Sequence, residues 1–320
     1  MKKLVSISII SFIIMSILVG CDDVFEEDIT KDSIITNSPK SNDIVVGNSV
    51  NFDWETIEGA SDYRVKVIED NTNKIVIDSL VEIDFLSVPI VSGTYSWEVR
   101  GENFAYQTAY SLPQNFVVES TNDLSTQNVF LNLPSDNFYT KNNTIILNWS
   151  TLDAATHYRL KVEKVVANNS SIVLQIDEIL TSDYTLDSTV LEEDAIYTWS
   201  IQAVNDNGQT EFSSRKIFID TTIPNQATLI TPNDEAKVTS TVDFSWSLGE
   251  DMGEVQSSLE SFLEISTDQN FTTILKEYTI QGESQQHIFE LVGEYYWRVT
   301  SMDIAGNIGT FSTSRILTVE

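Results

Sequence analysis

The sequence has little positive charge and a single cysteine. Its 320 residues include 18 Lys and Arg against 48 Asp and Glu, which gives a net charge of −30. Nucleic-acid affinity comes largely from Lys and Arg that displace counterions from phosphates, so neither DNA nor RNA is an expected partner. One cysteine excludes an internal disulfide and a cysteine-based metal cluster, because both need partners within the chain.

Histidine is almost as scarce, and the sequence signatures of catalysis are absent. His157 and His287 are the only histidines. Neither lies in a motif, and we interpret each as a strand surface residue. The chain has no His-Glu-x-x-His, Gly-x-Ser-x-Gly, Gly-x-Gly-x-x-Gly or Walker loop. With 48 acidic residues, paired carboxylates arise by chance and are no evidence for hydrolysis. The sequence therefore predicts no enzyme, no catalytic residue and no cofactor.

The N-terminal segment is typical of an exported protein. Lys2 and Lys3 precede an apolar run over residues 4–18, which is the order of charge and hydrophobicity in a secretory signal. The run ends in Leu-Val-Gly-Cys at Cys21, which resembles the lipobox of bacterial lipoproteins. The resemblance implies a signal peptide over 1–20, a mature chain that begins at Cys21, and a lipid on that cysteine that anchors the protein to a membrane.

An acidic segment, residues 21–35, follows the predicted lipid site. We predict that it is an extended, hydrated tether, because it contains six acidic residues and a single basic residue, Lys31. Acids close behind the lipidated cysteine resemble the surface-export signal of lipoproteins from the Bacteroidota, which implies the outer face of the outer membrane. Asp22, directly after the cysteine, also resembles the inner-membrane retention signal of enterobacterial lipoproteins. The sequence thus leaves a surface-facing and a periplasm-facing orientation open.

The rest of the chain consists of three repeats of similar length. Pro39, Pro134 and Pro232 each precede a strand-like run that ends in a tryptophan, and a second tryptophan follows in a Tyr-x-Trp or Tyr-Tyr-Trp setting. The two tryptophans of the successive units are Trp54 and Trp97, Trp149 and Trp199, and Trp246 and Trp297. Apolar and polar residues alternate around them, as in half-buried strands.

These repeats resemble bacterial fibronectin type III-like domains. The resemblance is carried by the strand that ends in Trp, by the turn and strand Gly59-Ala60-x-x-Tyr63-x-Val65, and by the second Trp strand with its turn of Asn, Asp and Gly. It implies an all-β fold of three tandem fibronectin type III or immunoglobulin-like β-sandwiches. We place the predicted domains at 36–120, 127–220 and 223–320.

The third unit departs from the other two. It has Ser261 where they have Tyr63 and Tyr158, and a longer approach through Gly249 to Gly253 that we interpret as a surface loop with an insertion of about six residues. Oxygen-rich turns, including the one at Asp303, have the atoms that Ca2+ prefers. No Asp-x-Asp-x-Asp-Gly loop is present, so we expect solvated turns and predict no metal site.

Two functions fit a row of small sandwiches. The first is a non-catalytic binding or spacer module of the cell envelope, with an envelope protein as partner. The alternative is a glycan-binding surface lipoprotein of a polysaccharide-uptake system, since aromatic side chains stack on sugars. Phe104, Tyr106 and Tyr110 follow the second Trp strand of the first unit without strand alternation, so they are the possible ligand-binding residues. The sequence does not identify the ligand, the organism or the oligomeric state.

The anchor leads to a direct prediction. Replacing Cys21 by Ser removes the only thiol that could carry the lipid, so the Cys21→Ser protein should move from the membrane fraction to the soluble fraction of cells. Fractionation with a high-salt wash, followed by immunoblotting, measures the change. Persistent membrane association of the variant after that wash would contradict the lipoprotein interpretation.

Overall fold

A computed structural model describes residues 26–320. Cys21 and the predicted signal peptide lie outside the described residues. From residue 26 onward the structure is all-β, with one short 3-10 turn and no α-helix. Accordingly, this part of the chain contains no helix with the length and apolar character needed to cross a membrane.

The strands fall into three consecutive sets, one for each sequence repeat. The first sandwich contains β1 (Thr36–Ser38), β2 (Asp43–Val46), β3 (Ser49–Trp54), β4 (Asp62–Glu69), β5 (Lys74–Val81), β6 (Phe85–Pro89), β7 (Gly93–Glu102) and β8 (Gln114–Glu119).

The second sandwich begins after the 3-10 turn Leu124–Thr126. Its strands are β9 (Leu131–Leu133), β10 (Phe138–Thr140), β11 (Ile145–Trp149), β12 (His157–Val166), β13 (Asn169–Ile179), β14 (Asp183–Leu186), β15 (Ala195–Asn205), β16 (Gly208–Gln209) and β17 (Ser213–Ile219).

The third sandwich ends at the last residues of the chain. Its strands are β18 (Thr228–Thr231), β19 (Ala236–Val238), β20 (Thr241–Ser247), β21 (Glu260–Ser266), β22 (Ile274–Ile280), β23 (Ser284–Ile288), β24 (Gly293–Met302) and β25 (Arg315–Val319).

All three sandwiches have the same strand order. A three-stranded sheet (β1-β3-β6, β9-β11-β14 or β18-β20-β23) accompanies a larger sheet (β2-β8-β7-β4-β5, β10-β17-β15-β12-β13 or β19-β25-β24-β21-β22). The long strands of the larger sheets are antiparallel neighbours, whereas the short β10 and β19 run parallel to the last strand of their sandwich. This is the arrangement of a fibronectin type III-like sandwich, and it confirms the predicted all-β fold class.

The tryptophans lie in the sandwich cores. None of the six is more than 1% exposed, so all six are core residues. Ring centroids of the paired tryptophans lie 6.4 Å apart in the first sandwich and 6.4 Å apart in the second. In the third, Phe244 packs against Trp297 at 4.9 Å. Period-two alternation along β4, β7 and β12 places one face of each strand in these cores.

The repeated prolines lie where the chain passes from the first short strand of each sandwich toward the larger sheet. In the second and third sandwiches an arginine satisfies the carbonyl groups of this segment: Arg215 donates to Leu131 and Pro134, and Arg315 donates to Leu229, Ile230 and Pro232. The first sandwich has no arginine there, and Trp97 Nε1 donates to the Pro39 carbonyl at 2.8 Å instead.

The acidic segment before the first sandwich differs from the predicted hydrated tether. Ile29 is fully buried and Ile34 is buried, so the segment packs onto the folded chain at these two residues, while most of its other residues are exposed. Asn103 Nδ2 donates to the Glu27 carbonyl at 2.9 Å, which attaches the segment to the turn after β7. The acidic composition alone predicts hydration. The difference arises because burial of the two isoleucine side chains favours packing against the folded chain.

Cα proximity divides the chain into two compact units. Within the described residues, one unit contains the chain up to Val45, Val50–Val88 and Gly93–Val117. The other contains Val46–Ser49, Pro89–Ser92 and Val118–Glu320, and thus both the second and the third sandwich. Consecutive sandwiches ordinarily share little surface. Here Asn307 Nδ2 donates to the Asp220 carbonyl at 2.9 Å, and Lys141 Nζ donates to the Gly306 carbonyl at 2.6 Å.

The core assignment predicts where stability resides. Trp149→Ala or Trp199→Ala should lower the free energy of unfolding of the second sandwich by about 3–5 kcal/mol, because each leaves a large cavity between the sheets. Urea unfolding followed by circular dichroism measures the loss. Leu180→Ala is the matched control, since Leu180 is 76% exposed and its truncation should cost less than about 0.5 kcal/mol. A Trp149→Ala protein as stable as this control would contradict the assignment.

Candidate functional site

The three aromatic residues predicted to bind a ligand differ in exposure and in their contacts. Phe104 is 96% exposed and Tyr106 is 39% exposed. Both lie in the turn after β7, where Asn103 Oδ1 accepts hydrogen bonds from the Tyr106 backbone N–H at 2.7 Å and from that of Ala105 at 3.1 Å. The structure therefore leaves Phe104 as the most available stacking ring of the three.

Tyr110 is held by two cations. Lys66 Nζ lies 4.5 Å from the centroid of its ring, and Arg100 Cζ lies 4.8 Å from the same centroid. The Tyr110 hydroxyl is buried and has no hydrogen-bond partner among residues 26–320. A ring whose face is occupied by cations stabilises the larger sheet of the first sandwich, so Tyr110 is a structural residue rather than a free platform.

A recurring polar link joins three elements at one end of the first two sandwiches. The first element is the entry segment (26–35 or 120–130). The second is the approach loop, which joins β3 to β4 (55–61) or β11 to β12 (150–156). The third is the late turn after the second Trp strand, which contains Asn103 or Asn205. Asn103 Nδ2 donates to the Glu27 carbonyl at 2.9 Å and to the Gly59 carbonyl at 2.8 Å. Asn205 Nδ2 donates to the Asn122 carbonyl at 3.1 Å and to the Ala154 carbonyl at 2.9 Å. One amide nitrogen thus bridges two carbonyl oxygens in each case.

The third sandwich has an acid at this position. Asp303 is the sixth residue after Trp297, just as Asn103 and Asn205 are the sixth residues after Trp97 and Trp199. Asp303 comes together with Asp220 of the entry segment (220–227) and Asp251 of the approach loop (248–259), and one carboxylate oxygen of each lies within 4.8 Å of one from each of the others. We call these three residues the junction cluster. It is the one such group of potential metal ligands in the described part of the chain.

Burial makes the junction cluster unusual. Asp220 is 0% exposed and Asp303 is 4% exposed, which corrects the prediction that the turn at Asp303 is solvated. Asp220 Oδ1 accepts from the Thr222 backbone N–H at 3.1 Å, but Asp220 Oδ2 has no partner within residues 26–320. Asp251 Oδ2 accepts from the Ser257 N–H at 2.7 Å, and Asp251 Oδ1 is likewise without a partner in that range.

The long approach loop brings Asp251 to this place. It has twelve residues (248–259), five more than the seven of 55–61 and of 150–156. Gly249 lets the loop approach the entry segment, since a Cβ there would meet the Asn225 carbonyl oxygen at 2.1 Å. The Asn225 N–H donates to the Glu250 carbonyl at 3.0 Å, and Val255 is buried. The predicted surface loop is therefore partly buried.

The departure at Ser261 is linked to the same loop. In the first two sandwiches the Tyr63 and Tyr158 hydroxyls accept hydrogen bonds from the approach loop, from the Ile57 N–H at 2.9 Å and the Leu152 N–H at 2.8 Å. Ser261 instead accepts a hydrogen bond from Trp246 Nε1 at 2.7 Å and donates to the Gly282 carbonyl. Without the tyrosine hydroxyl, the third approach loop is held by other contacts, among them Ile304 N–H to Ser257 Oγ at 3.0 Å.

The electrostatics of Asp220 contrast with those of acids in similar turns. Burial raises the pKa of the Asp220 carboxyl to about 6, the Thr222 N–H opposes this rise, and the charges of Asp303, Asp251 and Asp194 add to it. The carboxylates of Asp28 and Asp123 also accept a hydrogen bond from the backbone N–H of the second residue after them, but these two acids are exposed. Hydrogen bonds from Thr30 and Ser125 hold the pKa of each below its usual range. Asp220 is thus an acid in an environment that opposes its charge.

The two histidines have structural surroundings. His287 is half-buried against Phe289, with ring centroids 4.5 Å apart, and its Nδ1 lies 2.9 Å from the Tyr278 hydroxyl. Burial lowers its pKa. His157 Nδ1 lies 3.0 Å from Thr156 Oγ1 at the start of β12. Neither histidine belongs to the junction cluster.

Comparisons with known proteins add little to this picture. No protein-family model matches the chain, and no curated protein matches it. Among solved structures, the chain is similar to the crystal structure of the chicken CNTN1 FN1-FN3 domains, at 14% identity over 90% of this chain and 98% of that one, with a TM-score of 0.43. Because both the identity and the TM-score are low, the fold assignment rests on the strand order described above and not on this similarity.

The aromatic residues lead to a stability prediction. Tyr110→Ala should lower the melting temperature of the first sandwich, because it removes the ring on which Lys66 and Arg100 lie. Tyr106→Ala should lower it as well, since most of that side chain is covered. Phe104→Ala is the matched control and should leave the melting temperature unchanged in differential scanning calorimetry. Equal melting temperatures for the Tyr110→Ala and Phe104→Ala proteins would refute the structural role of Tyr110.

Proposed function

We propose that this protein is a lipid-anchored protein of the cell envelope, surface-exposed on the outer membrane, and that its three sandwiches form a non-catalytic binding or spacer module. The leader supports the anchor, since the lipobox-like run ends at the only cysteine of the chain. The acids behind Cys21 support export to the surface, by their resemblance to the signal of the Bacteroidota.

The observation that carries the proposal is the allocation of the aromatic residues. All six tryptophans, and the strand tyrosines Tyr63, Tyr95, Tyr158, Tyr197 and Tyr295, are buried in the three cores. What remains for recognition is therefore loops and strand edges. Repeated sandwiches whose large aromatic residues are buried in the cores suit a spacer, or a module that binds a partner through its loops and strand edges.

An exposed edge favours protein recognition. Strand β5 is the outermost strand of the larger sheet in the first sandwich, and Ile75, Val76 and Leu80 on it are all exposed. An outer strand with free backbone groups and apolar side chains is a template for pairing with a strand of another protein. We therefore place interaction with an envelope protein before interaction with a glycan.

Glycan binding is the second candidate, and one observation favours it. Phe104 projects from the turn after β7 with 96% of its surface exposed, as a stacking residue for a sugar would. Phe104 alone supplies one stacking contact. Tyr110 does not offer a second one, because Lys66 and Arg100 lie against its ring.

A glycan array on the soluble fragment 22–320 separates the two functions. We expect no saturable, sugar-specific binding, and we expect the Phe104→Ala fragment to behave as the parent does. Leu112→Ala is the matched control, because Leu112 is another exposed apolar residue of the first sandwich. Saturable binding that Phe104→Ala abolishes and Leu112→Ala preserves would replace the spacer function by glycan capture.

A further inference from the structure

We propose that the junction cluster of Asp220, Asp251 and Asp303 is a Ca2+ site between the second and third sandwiches. Its three carboxylates come from three separate elements, which are the entry segment, the approach loop and the late turn of the third sandwich. Asp220 also directly follows β17, the last strand of the second sandwich. An ion held there would join both sandwiches.

The carboxylates lack a protein cation. Within residues 26–320 no Lys or Arg nitrogen forms an ion pair with any of the three. Lys141, which reaches the late turn, donates to the Gly306 carbonyl. Asp220 Oδ2 and Asp251 Oδ1 are both buried without a hydrogen-bond partner in this part of the chain. Buried carboxylates are costly unless they are paired or bind a metal, so these two oxygens without hydrogen-bond partners point to a bound cation.

The other two sandwiches serve as internal controls. In each, the residue that corresponds to Asp303 is an asparagine whose amide N–H groups bridge the entry segment and the approach loop. In the third sandwich Asn307 Nδ2 takes over the link to the entry segment, through the Asp220 carbonyl at 2.9 Å, and also donates to Asp303 Oδ2 at 2.8 Å. The approach loop of the third sandwich contributes the Asp251 carboxylate, where the other two loops contribute the backbone carbonyls of Gly59 and Ala154. A cation among the three acids would restore the bridge that the amide makes elsewhere.

The donor set fits a hard cation. All three side chains offer oxygen, and no histidine or cysteine belongs to the cluster, which disfavours zinc and copper. Three acids carry three negative charges when ionised, enough to balance a divalent ion. Ca2+ accepts irregular shells of six to eight oxygens, which carbonyl groups and water can complete, whereas Mg2+ requires a near-octahedral shell. Three carboxylates from three different loops suit the more tolerant ion.

Calorimetric titration of the full chain, purified in detergent and freed of metal with a chelator, tests the site. We expect CaCl2 to bind saturably at one site. We expect about 1 mM Ca2+ to raise the melting temperature of the unit that contains the second and third sandwiches by about 3–6 °C, if the affinity lies in the submillimolar range of extracellular modules.

Asp303→Asn is the decisive variant, because it restores the residue type found at positions 103 and 205. It should fold, bind Ca2+ at least tenfold more weakly and lose the Ca2+-dependent rise in melting temperature. Asp206→Asn is the matched control, since Asp206 is an exposed acid in the late turn of the second sandwich and its replacement changes the net charge equally. This variant should respond to Ca2+ as the parent does.

Three outcomes would overturn the proposal. The first is the absence of saturable Ca2+ binding in the parent protein. The second is an equal Ca2+ response of the Asp303→Asn and Asp206→Asn proteins, which would show that the ion is only screening a chain of net charge −30. The third is an equal response to Mg2+ at the same concentration, which would refute the assignment to Ca2+.

Discussion

The packing of the two sheets of each sandwich against each other, around two buried tryptophans, is the interaction on which the rest of the structure depends. One tryptophan ends a strand of the three-stranded sheet, and the other lies in the middle of the larger sheet, as Trp54 in β3 and Trp97 in β7. Each large ring fills the space between the layers, and a chain without disulfides has no covalent substitute for this packing. Because every sandwich keeps both tryptophans buried, the differences that bear on function lie mainly in the connections at the sandwich ends.

Those ends show how much of the molecule follows from sequence alone. The alternation around Tyr63, Tyr158 and the tryptophans predicts both strands and core, since strand burial depends on a local period of two. The strand order could be predicted only through the resemblance to a known fold, because pairing is a non-local property. Burial of Ile29 in an acidic segment was missed, since a charge count does not register two well-spaced isoleucines.

The junction cluster was missed for a similar reason. Asp220, Asp251 and Asp303 are far apart in the chain and lie in three different connections. Among 48 acidic residues, no spacing rule selects these three. A signal was nevertheless present in the alignment of the repeats: Asn103, Asn205 and Asp303 occupy one position, and an acid there replaces an amide. The sequence signal for this site is therefore a difference between the repeats and not a metal-binding motif.

Three departures of the third sandwich are best understood together. The loss of a tyrosine at Ser261 removes the hydroxyl that holds the approach loop in the first two sandwiches. The lengthened loop is free to carry Asp251 toward the entry segment, where Gly249 permits close approach. The change from asparagine to Asp303 removes the donor that would bridge loop and segment. Two of these changes add negative charge at buried or half-buried positions, and the third removes a hydrogen bond to the loop. A divalent ion turns the same three changes into a consistent set, because it needs the longer loop and the added carboxylates, and because no amide at position 303 then joins the loop to the entry segment.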